Sequence, residues 1–316
     1  MENPLVAKVD IIHYLAQFVD DEQYLFFSSV CADWRDAWGQ RPTMTNPLTA
    51  DTSVSQLSLS FECGLRKKSR VCALAARLGR LDLLKLARAA GCPWGPTSCK
   101  EAAGGSHLGV LKWARAEGCT WDHESCANAA GGGHLRALQW LRASGCDWDW
   151  HACCNAARGG HLGVLQWLRA NGCPWNEWTC HLAAEKGHLA VLEWCRANGC
   201  EWNASTCCGA AFGGHLDVVK WIRANGGAVD RHACESAAGG GHLEVLQWLR
   251  ANGCPWGGDT CRRAAVQGHL DVLQWARSNG CAWSGNTICD AQRRGHVKVV
   301  AWARANGCPE SSYDYL

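Results

Sequence analysis

The hydrophobic and polar positions of this chain repeat every 27 residues over most of its length. The clearest copy runs from Gly241 to Trp256 and reads GHLEVLQWLRANGCPW. Steps of 27 residues from its histidine, His242, reach another histidine each time: His107, His134, His161, His188, His215, His269 and His296. A fixed period in this range is typical of a solenoid, in which each unit buries its apolar face only against its neighbours.

Each unit predicts two short helices joined by tight turns. Residues 179–184, TCHLAA, are typical of the first helix, with Thr179 as its predicted N-cap. Gly187 is expected to make the turn, and residues 188–197 form a second helix that is apolar over most of its surface. Asn198-Gly199 then predicts a left-handed C-cap. The fold class is therefore all-α, an α-solenoid of stacked helix-turn-helix units.

The repeat divides the chain into four segments. Residues 1–40 lie outside it and predict a small helical module. Residues 41–69 predict a linker and a degenerate capping half-repeat, because Gly64 stands 27 residues before the C-cap glycine Gly91. Residues 70–309 hold nine units, and residues 310–316 form a tail.

Charge and hydropathy narrow the classes of partner. The chain has 31 Lys+Arg and 29 Asp+Glu, so its net charge of +2 does not favour nucleic acid or acidic lipid. The sequence has no charged and apolar leader at Met1 and no apolar run long enough to span a bilayer. We therefore expect a cytoplasmic monomer that binds neither nucleic acid nor membrane.

The 22 cysteines follow the repeat rather than a disulfide pattern. One series is Cys92, Cys119, Cys146, Cys173, Cys200, Cys254, Cys281 and Cys308, and the other is Cys72, Cys99, Cys126, Cys153, Cys180, Cys207, Cys234 and Cys261. Together with the histidines they could supply three zinc ligands per unit. However, Gly227 and Ile288 replace cysteines in two units, and packing tolerates such replacements better than a metal does. We predict reduced thiols in the core, with no metal and no cofactor.

The recurring tryptophans and histidines have a structural and a functional interpretation. The tryptophan ladder could stack nucleic-acid bases, but its place on the apolar side of the second helix favours packing in the core. It comprises Trp113, Trp140, Trp167, Trp194, Trp221, Trp248, Trp275 and Trp302. The repeating histidine is predicted to stabilise a turn through a hydrogen bond. No catalytic constellation stands out, so we do not expect an enzyme.

The repeated unit resembles the ankyrin repeat. Its Gly-His-Leu-x-Val-Leu opening, Ala-Asn-Gly close and Thr-Cys-x-x-Ala-Ala stretch are similar to the corresponding ankyrin motifs over residues 70–309. Ankyrin units are about 33 residues long, and the residues missing here are those that form the ankyrin β-hairpin. The resemblance therefore implies helix pairs with little or no strand, and a protein–protein interaction role.

The N-terminal segment resembles an F-box. Leu25 to Trp34 reads LFFSSVCADW, and Arg35 follows, so that a Val-Cys pair precedes a Trp-Arg pair. An Asn-Pro pair replaces the Leu-Pro with which F-boxes usually begin. The resemblance implies docking on a Skp-type adaptor of a cullin-RING ubiquitin ligase through Pro4, Leu5, Ile12, Leu15, Leu25, Val30, Cys31 and Trp34. The alternative is a helical cap on the array.

Chains with an F-box ahead of such short units are similar to repeat proteins of giant DNA viruses and protists. This similarity implies the host cytoplasm as the location if the chain is viral.

Target recognition is expected at the positions that change from unit to unit, since the recurring positions form the scaffold. These positions flank the first helix of each unit, and drift of a neutral surface is the alternative explanation. The predicted target-binding residues are His123, Glu124, Trp150, His151, Arg158, Glu177, Trp178, Glu185, Lys186, Phe212, Arg231 and His232. Two functions remain open: a substrate receptor of a ubiquitin ligase, and an interaction scaffold without that link.

Overall fold

The structure is a computed structural model that describes residues 52–62 and 67–310. The F-box-like segment lies outside these residues, as do residues 41–51 and 311–316. The adaptor-binding prediction therefore falls entirely outside the described part of the chain, at Pro4, Leu5, Ile12, Leu15, Leu25, Val30, Cys31 and Trp34.

The described residues form nineteen helices, and no described residue lies in a β-strand. Helix α1 is Val54–Glu62, and nine helix pairs follow it. The first helices of these pairs are α2 (Ser69–Arg77), α4 (Pro96–Gly104), α6 (His123–Gly131), α8 (Trp150–Arg158), α10 (Glu177–Glu185), α12 (Ala204–Gly213), α14 (Arg231–Gly240), α16 (Gly258–Gln267) and α18 (Thr287–Arg293).

The second helices are α3 (Leu81–Ala89), α5 (Leu108–Ala116), α7 (Leu135–Ala143), α9 (Leu162–Ala170), α11 (Leu189–Ala197), α13 (Leu216–Ala224), α15 (Leu243–Ala251), α17 (Leu270–Ser278) and α19 (Val297–Ala305). The predicted all-α array of short helix pairs without β-hairpins is confirmed for this part of the chain.

The described residues form two compact units. The first contains those up to Ala129 together with His134–Asp147, and the second contains Ala130–Gly133 and those from Trp148 onward. Successive first helices pack against one another, as α2 packs on α4 and α10 packs on α12. Most first helices also pack on the second helix of their own pair, as α10 packs on α11.

Small residues in the first helices allow this close packing. Helix α10 buries Thr179, Cys180, Ala183 and Ala184 completely, while Leu192 in α11 fills the space behind them. The core therefore combines small and large side chains, as dense packing of short helices requires.

The predicted N-cap at Thr179 is wrong. Thr179 is fully buried inside α10, and its backbone N–H donates to the carbonyl of Asn176 at 3.0 Å. The N-cap is Asn176, whose Oδ1 accepts from the N–H of Trp178 at 3.1 Å. Asn and Thr both cap helices well. Here the small Thr179 packs in the interface between helices, and Asn176, the residue immediately before the helix, is the N-cap.

The turn between the two helices requires a left-handed residue. Gly187 has φ of 73°, and Ser106 at the equivalent position has φ of 62° as the single described non-glycine residue with positive φ. Most of these glycines also provide space. A Cβ on Gly187 would lie 2.5 Å from Nδ1 of His215, so no larger residue fits there without movement.

Each repeating histidine joins the turn of its own repeat to the first helix of the preceding repeat. Nε2 of His188 lies 3.1 Å from the carbonyl oxygen of Arg158, and Nε2 of His107 lies 2.9 Å from that of Arg77. A carbonyl oxygen only accepts, so Nε2 carries the proton in this arrangement. The predicted turn-stabilising role of the histidine is confirmed, and the bond also links neighbouring repeats.

The tryptophan ladder is not in the core, which corrects the prediction. Trp194 and the other ladder residues are half-buried, and all of them except Trp248 lie beside a second tryptophan. The rings of Trp175 and Trp194 are 5.7 Å apart and nearly perpendicular, a favourable aromatic geometry. Arg169 lies 4.3 Å above Trp175 and donates from Nη1 to the carbonyl of Cys173. The helix interface holds leucine-sized side chains, so the larger indoles lie at its edge.

Nearly all of the twenty described cysteines are buried, which confirms the prediction that they occupy core positions. Burial raises the pKa of the Cys207 thiol to about 12. The pKa of the Cys153 thiol is also raised, through its contact with Cys173 and through burial. Such thiols stay protonated and unreactive at neutral pH.

Ser106→Gly should stabilise the protein, because a left-handed conformation costs a serine about 1 kcal/mol that glycine does not incur. The free energy of unfolding, measured with urea, is expected to rise by about that amount. Gly133→Ser is the converse variant at an equivalent position and should lower it, since a Cβ there meets His161 at 2.7 Å. A destabilised Ser106→Gly variant would contradict this account of the turn.

Stability should decrease below neutral pH through His242. Burial lowers the pKa of this imidazole, against the hydrogen bond to the Phe212 carbonyl, and His215 and His269 lower it further. The unfolded chain then takes up the proton more readily than the folded one. The contribution of His242 to stability is complete above its unfolded pKa and is lost as pH falls through the lower folded pKa.

Urea midpoints at pH 7.5 and 5.5 test this pH dependence. The decrease between the two pH values should be smaller in His242→Gln, which keeps a hydrogen-bond donor but no titrating ring. An equal decrease in the variant and the wild type would show that His242 is not involved.

Candidate functional site

One side of each first helix in the second unit is partly open to solvent. On α10 this side carries Glu177, Trp178, His181, Leu182 and Glu185, which are exposed or half-buried. The opposite side carries the small buried residues of the core. We call the corresponding side chains of α8, α10, α12, α14 and α16 the first-helix face.

Two aromatic rings on neighbouring helices are the most exposed large apolar side chains of this face. Trp178 on α10 is 47% exposed, and Phe212 at the end of α12 is 49% exposed. Outside the face, Val54 and Val297 are the other exposed large apolar residues in the described chain. Aromatic side chains of this kind dominate protein interfaces because they bury much surface at little entropic cost.

His181 fixes the surroundings of Trp178. Its ring lies edge-on to that of Trp178, with centroids 5.0 Å apart, and its Nδ1 donates to the carbonyl of Ser205 at 2.7 Å. Gly209 on α12 leaves room for this ring, since a Cβ there would lie 3.1 Å from Cε1 of His181. Nε2 of His181 lies 3.7 Å from Glu185, which also pairs with Lys186 at 2.8 Å. These contacts hold His181 in place, and His181 in turn fixes the position of the exposed Trp178 ring, which we call the aromatic anchor.

The start of α8 is held by its capping residue. Asp149 accepts from the backbone N–H of His151 at 3.0 Å, and its second oxygen lies 2.9 Å from Nδ1 of the same residue. The ring of Trp150 stacks on that of His151 with centroids 3.6 Å apart. Capping and stacking together give these two side chains one orientation.

Helix α14 begins in a similar way. Asp230 caps it by accepting from the N–H of His232 at 2.9 Å, and Nδ1 of His232 lies 3.0 Å from Glu235. Arg231 beside it is exposed. This end of the face therefore combines charges of both signs, in keeping with the nearly neutral chain.

Most of the predicted target-binding residues lie on or next to the first-helix face. Ten belong to the second unit, and each is exposed or half-buried: Trp150, His151, Arg158, Glu177, Trp178, Glu185, Lys186, Phe212, Arg231 and His232. His123 and Glu124 lie at the start of α6 in the first unit, where Glu124 accepts from Lys100 at 2.6 Å. Their contact with a target stays a prediction.

The residues in the middle of each first helix were not among the predicted target-binding residues. His181, Cys208 and Arg262 occupy the fifth position of their helices and lie on the same side as the predicted residues. Arg262 bridges Asp259 at 3.0 Å and Asp290 at 2.8 Å, and Asp290 is the main cause of its raised pKa. Residues three apart on a helix lie on the same side. The predicted residues at the second helix position, such as Trp178, therefore indicated that the fifth position, such as His181, lies on the same side.

The thiols near the face are not activated. Burial raises the pKa of Cys154 and that of Cys208 to about 11 each, so both are thiols at neutral pH. Cys154 is in contact with Oγ1 of Thr179 at 3.5 Å, and Cys208 is half-buried. The arrangement presents packing and hydrogen-bonding groups rather than a nucleophile.

Solved structures similar to this chain include an ankyrin repeat domain. No protein-family model matches the chain, and no curated protein matches it. The crystal structure of the human ASB11 ankyrin repeat domain is similar at 22% identity with a TM-score of 0.40, covering 50% of this chain and 84% of that one. In the described residues, no helix has the length and apolar character needed to cross a membrane.

Proposed function

We propose that this chain is a protein-binding protein that contacts its target through the first-helix face. The observation that supports this most is the exposure of Trp178 and Phe212 on neighbouring helices. Apart from Val297 in the last helix, the other large apolar side chains of the described repeats are buried or half-buried. Exposed apolar groups ringed by polar ones are typical of interaction sites.

The bracing of these residues favours binding. The contacts of Trp178 with His181, and of His181 with Ser205, hold the anchor in one orientation before a partner arrives. Side-chain ordering costs about 0.5–1.5 kcal/mol per immobilised side chain on association. A surface that is already ordered avoids much of that cost.

Charge favours a protein over a nucleic acid as the partner. The face mixes acidic and basic groups, as Glu185 with Lys186 and Asp259 with Arg262 show. Binding to a nucleic-acid backbone depends on an excess of Lys and Arg. Mixed polar groups around aromatic anchors are instead usual at protein interfaces.

Removing both anchors should abolish target binding without affecting the fold. Trp178→Ala with Phe212→Ala removes two exposed rings, each worth about 2 kcal/mol if it is a hot spot, so affinity should fall by more than 100-fold. The measurement compares partners captured quantitatively by the wild type and by this variant from one native extract.

Gln166→Ala with Gln247→Ala is the matched control, because both glutamines are exposed on the second helices. A specific partner should be lost with the aromatic pair and retained with the control. Partners lost equally with both variants, or with neither, would show that the first-helix face is not the binding surface.

At a finer level, we propose that the N-terminal segment docks on a Skp-type adaptor. Support for this proposal comes from the F-box-like sequence alone. The chain would then be a substrate receptor of a cullin-RING ubiquitin ligase, in which the array selects the protein to be modified. The alternative is an interaction scaffold whose N-terminal segment caps the array.

Leu25→Asp should separate these two functions. A charge placed in a desolvated apolar contact costs several kcal/mol of binding, so capture of purified adaptor should be lost. The melting of the array should not change, because a repeat array is stabilised by its own units. Gln17→Asp, outside the predicted contact set, should bind the adaptor as the wild type does.

The capping alternative makes the opposite prediction. The wild type would then not bind the adaptor, and Leu25→Asp would melt at a lower temperature because the first repeats lose their cap. That result would leave the first-helix face as the functional surface and remove the ligase link.

A further inference from the structure

A groove in the first unit lies between the first helices α2 and α4. Its volume is about 460 Å³, within the range of small-molecule sites. Its walls include Arg70, Ala73 and Arg77 from α2, and Trp94, Gly95 and Thr97 from the start of α4.

Two small residues open the groove at this place in the array. Ala73 is at the fifth position of α2, where α10 carries His181 and α14 carries Glu235. Gly95 is the N-cap of α4, where Asp149 and Asn176 cap the equivalent helices with their own side chains. This is the one described place in the array where an alanine at the fifth position faces a glycine N-cap, so both side chains that narrow the equivalent space are small here.

The chemistry of the walls favours an oxyanion attached to a flat ring. Arg70 and Arg77 are two turns apart on one side of α2, and Glu101 is the acidic residue of the lining, which leaves one net positive charge. The ring of Trp94 forms another wall and is held by Arg88, 4.5 Å above it, and by Trp113, with ring centroids 5.5 Å apart. Thr97 and Ser98 add hydroxyl groups.

We propose that this groove is a binding site for an aryl phosphate, either a free small molecule or the phosphotyrosine side chain of a protein. The phosphate would accept from the two guanidinium groups, whose planar sets of donors suit a dianionic phosphate better than a single carboxylate. The aryl ring would lie against Trp94. The site is separate from the first-helix face of the second unit and does not depend on its function.

The direct test follows the amide of Gly95 in protein labelled with ¹⁵N-glycine. Phenyl phosphate should shift this resonance with a Kd on the order of 1 mM, as expected for a fragment of its size. Inorganic phosphate and phenol each supply half of the ligand and should bind at least about 10-fold more weakly. Gly95→Ala assigns the resonance, because its Cβ would meet nothing within 4 Å.

Gly95→Asp is the decisive variant, and Gly257→Asp is its matched control. Both glycines are helix N-caps without a side-chain hydrogen bond, and at both a Cβ meets nothing within 4 Å. Each aspartate should cap its helix, as Asp149 caps α8, so both variants should fold. Only Gly95→Asp fills the groove and adds a negative charge, so only this variant should weaken phenyl phosphate binding, by at least 10-fold. Because Gly95→Asp lacks the reporter amide, both variants are compared through the broadening of the ³¹P resonance of phenyl phosphate.

Arg70→Gln and Arg77→Gln should each weaken phenyl phosphate and leave the weak binding of phenol unchanged. A phosphotyrosine pentapeptide that binds more tightly than phenyl phosphate would assign the site to a protein partner, and equal affinities would assign it to a free small molecule. The proposal is overturned if 10 mM phenyl phosphate does not shift Gly95, or if Gly95→Asp and Gly257→Asp bind it equally.

Discussion

The array depends on one recurring hydrogen bond, which each repeat histidine donates to the last turn of the first helix in the preceding repeat. Nε2 of His215 lies 3.1 Å from the carbonyl of Glu185, and the ring occupies space that a Cβ on Gly187 would fill. One side chain thus satisfies a helix C-terminal carbonyl, fixes the turn and sets the distance between neighbours. The left-handed glycine and the small residues of the first helices follow from this geometry, since both allow the helices to approach closely.

The same constraint determines where the chain is free to vary. Positions that pack are limited to alanine, cysteine, serine and threonine in most first helices, and the turn is glycine followed by histidine in most repeats. The solvent-facing side of the first helix is less restricted, so it can accept Trp178 in one repeat and Arg262 in another. Irregularity then has local consequences. Glycine at the N-cap of α4 opens a groove, and a half-buried His181 supports an aromatic anchor.

Much of the fold could be predicted from the sequence because a strict repeat averages over many copies. The helix pairs, their glycine turns and the hydrogen-bonding histidine all follow from positions that recur. Thr179 was wrongly assigned as a cap because Asn176 has the same capping chemistry, and burial is not visible in one sequence. The tryptophan ladder was wrongly assigned to the core because apolar periodicity indicates which side of a helix faces its neighbours, but not how completely each side chain is buried. The groove beside Gly95 forms because Ala73 and Gly95 have small side chains or none. A pattern of recurring residues does not reveal an open space of this kind.

The repeat histidines donate from Nε2 to backbone carbonyls of the preceding repeat. Long-range ¹H–¹⁵N correlation spectra of ¹⁵N-histidine-labelled protein at pH 7.5 report directly which ring nitrogen carries the proton. His107, His134, His161, His188, His215, His242, His269 and His296 should show the Nε2–H tautomer, with slowly exchanging protons. Spectra showing the Nδ1–H tautomer, or rapid averaging between the two, would contradict the account.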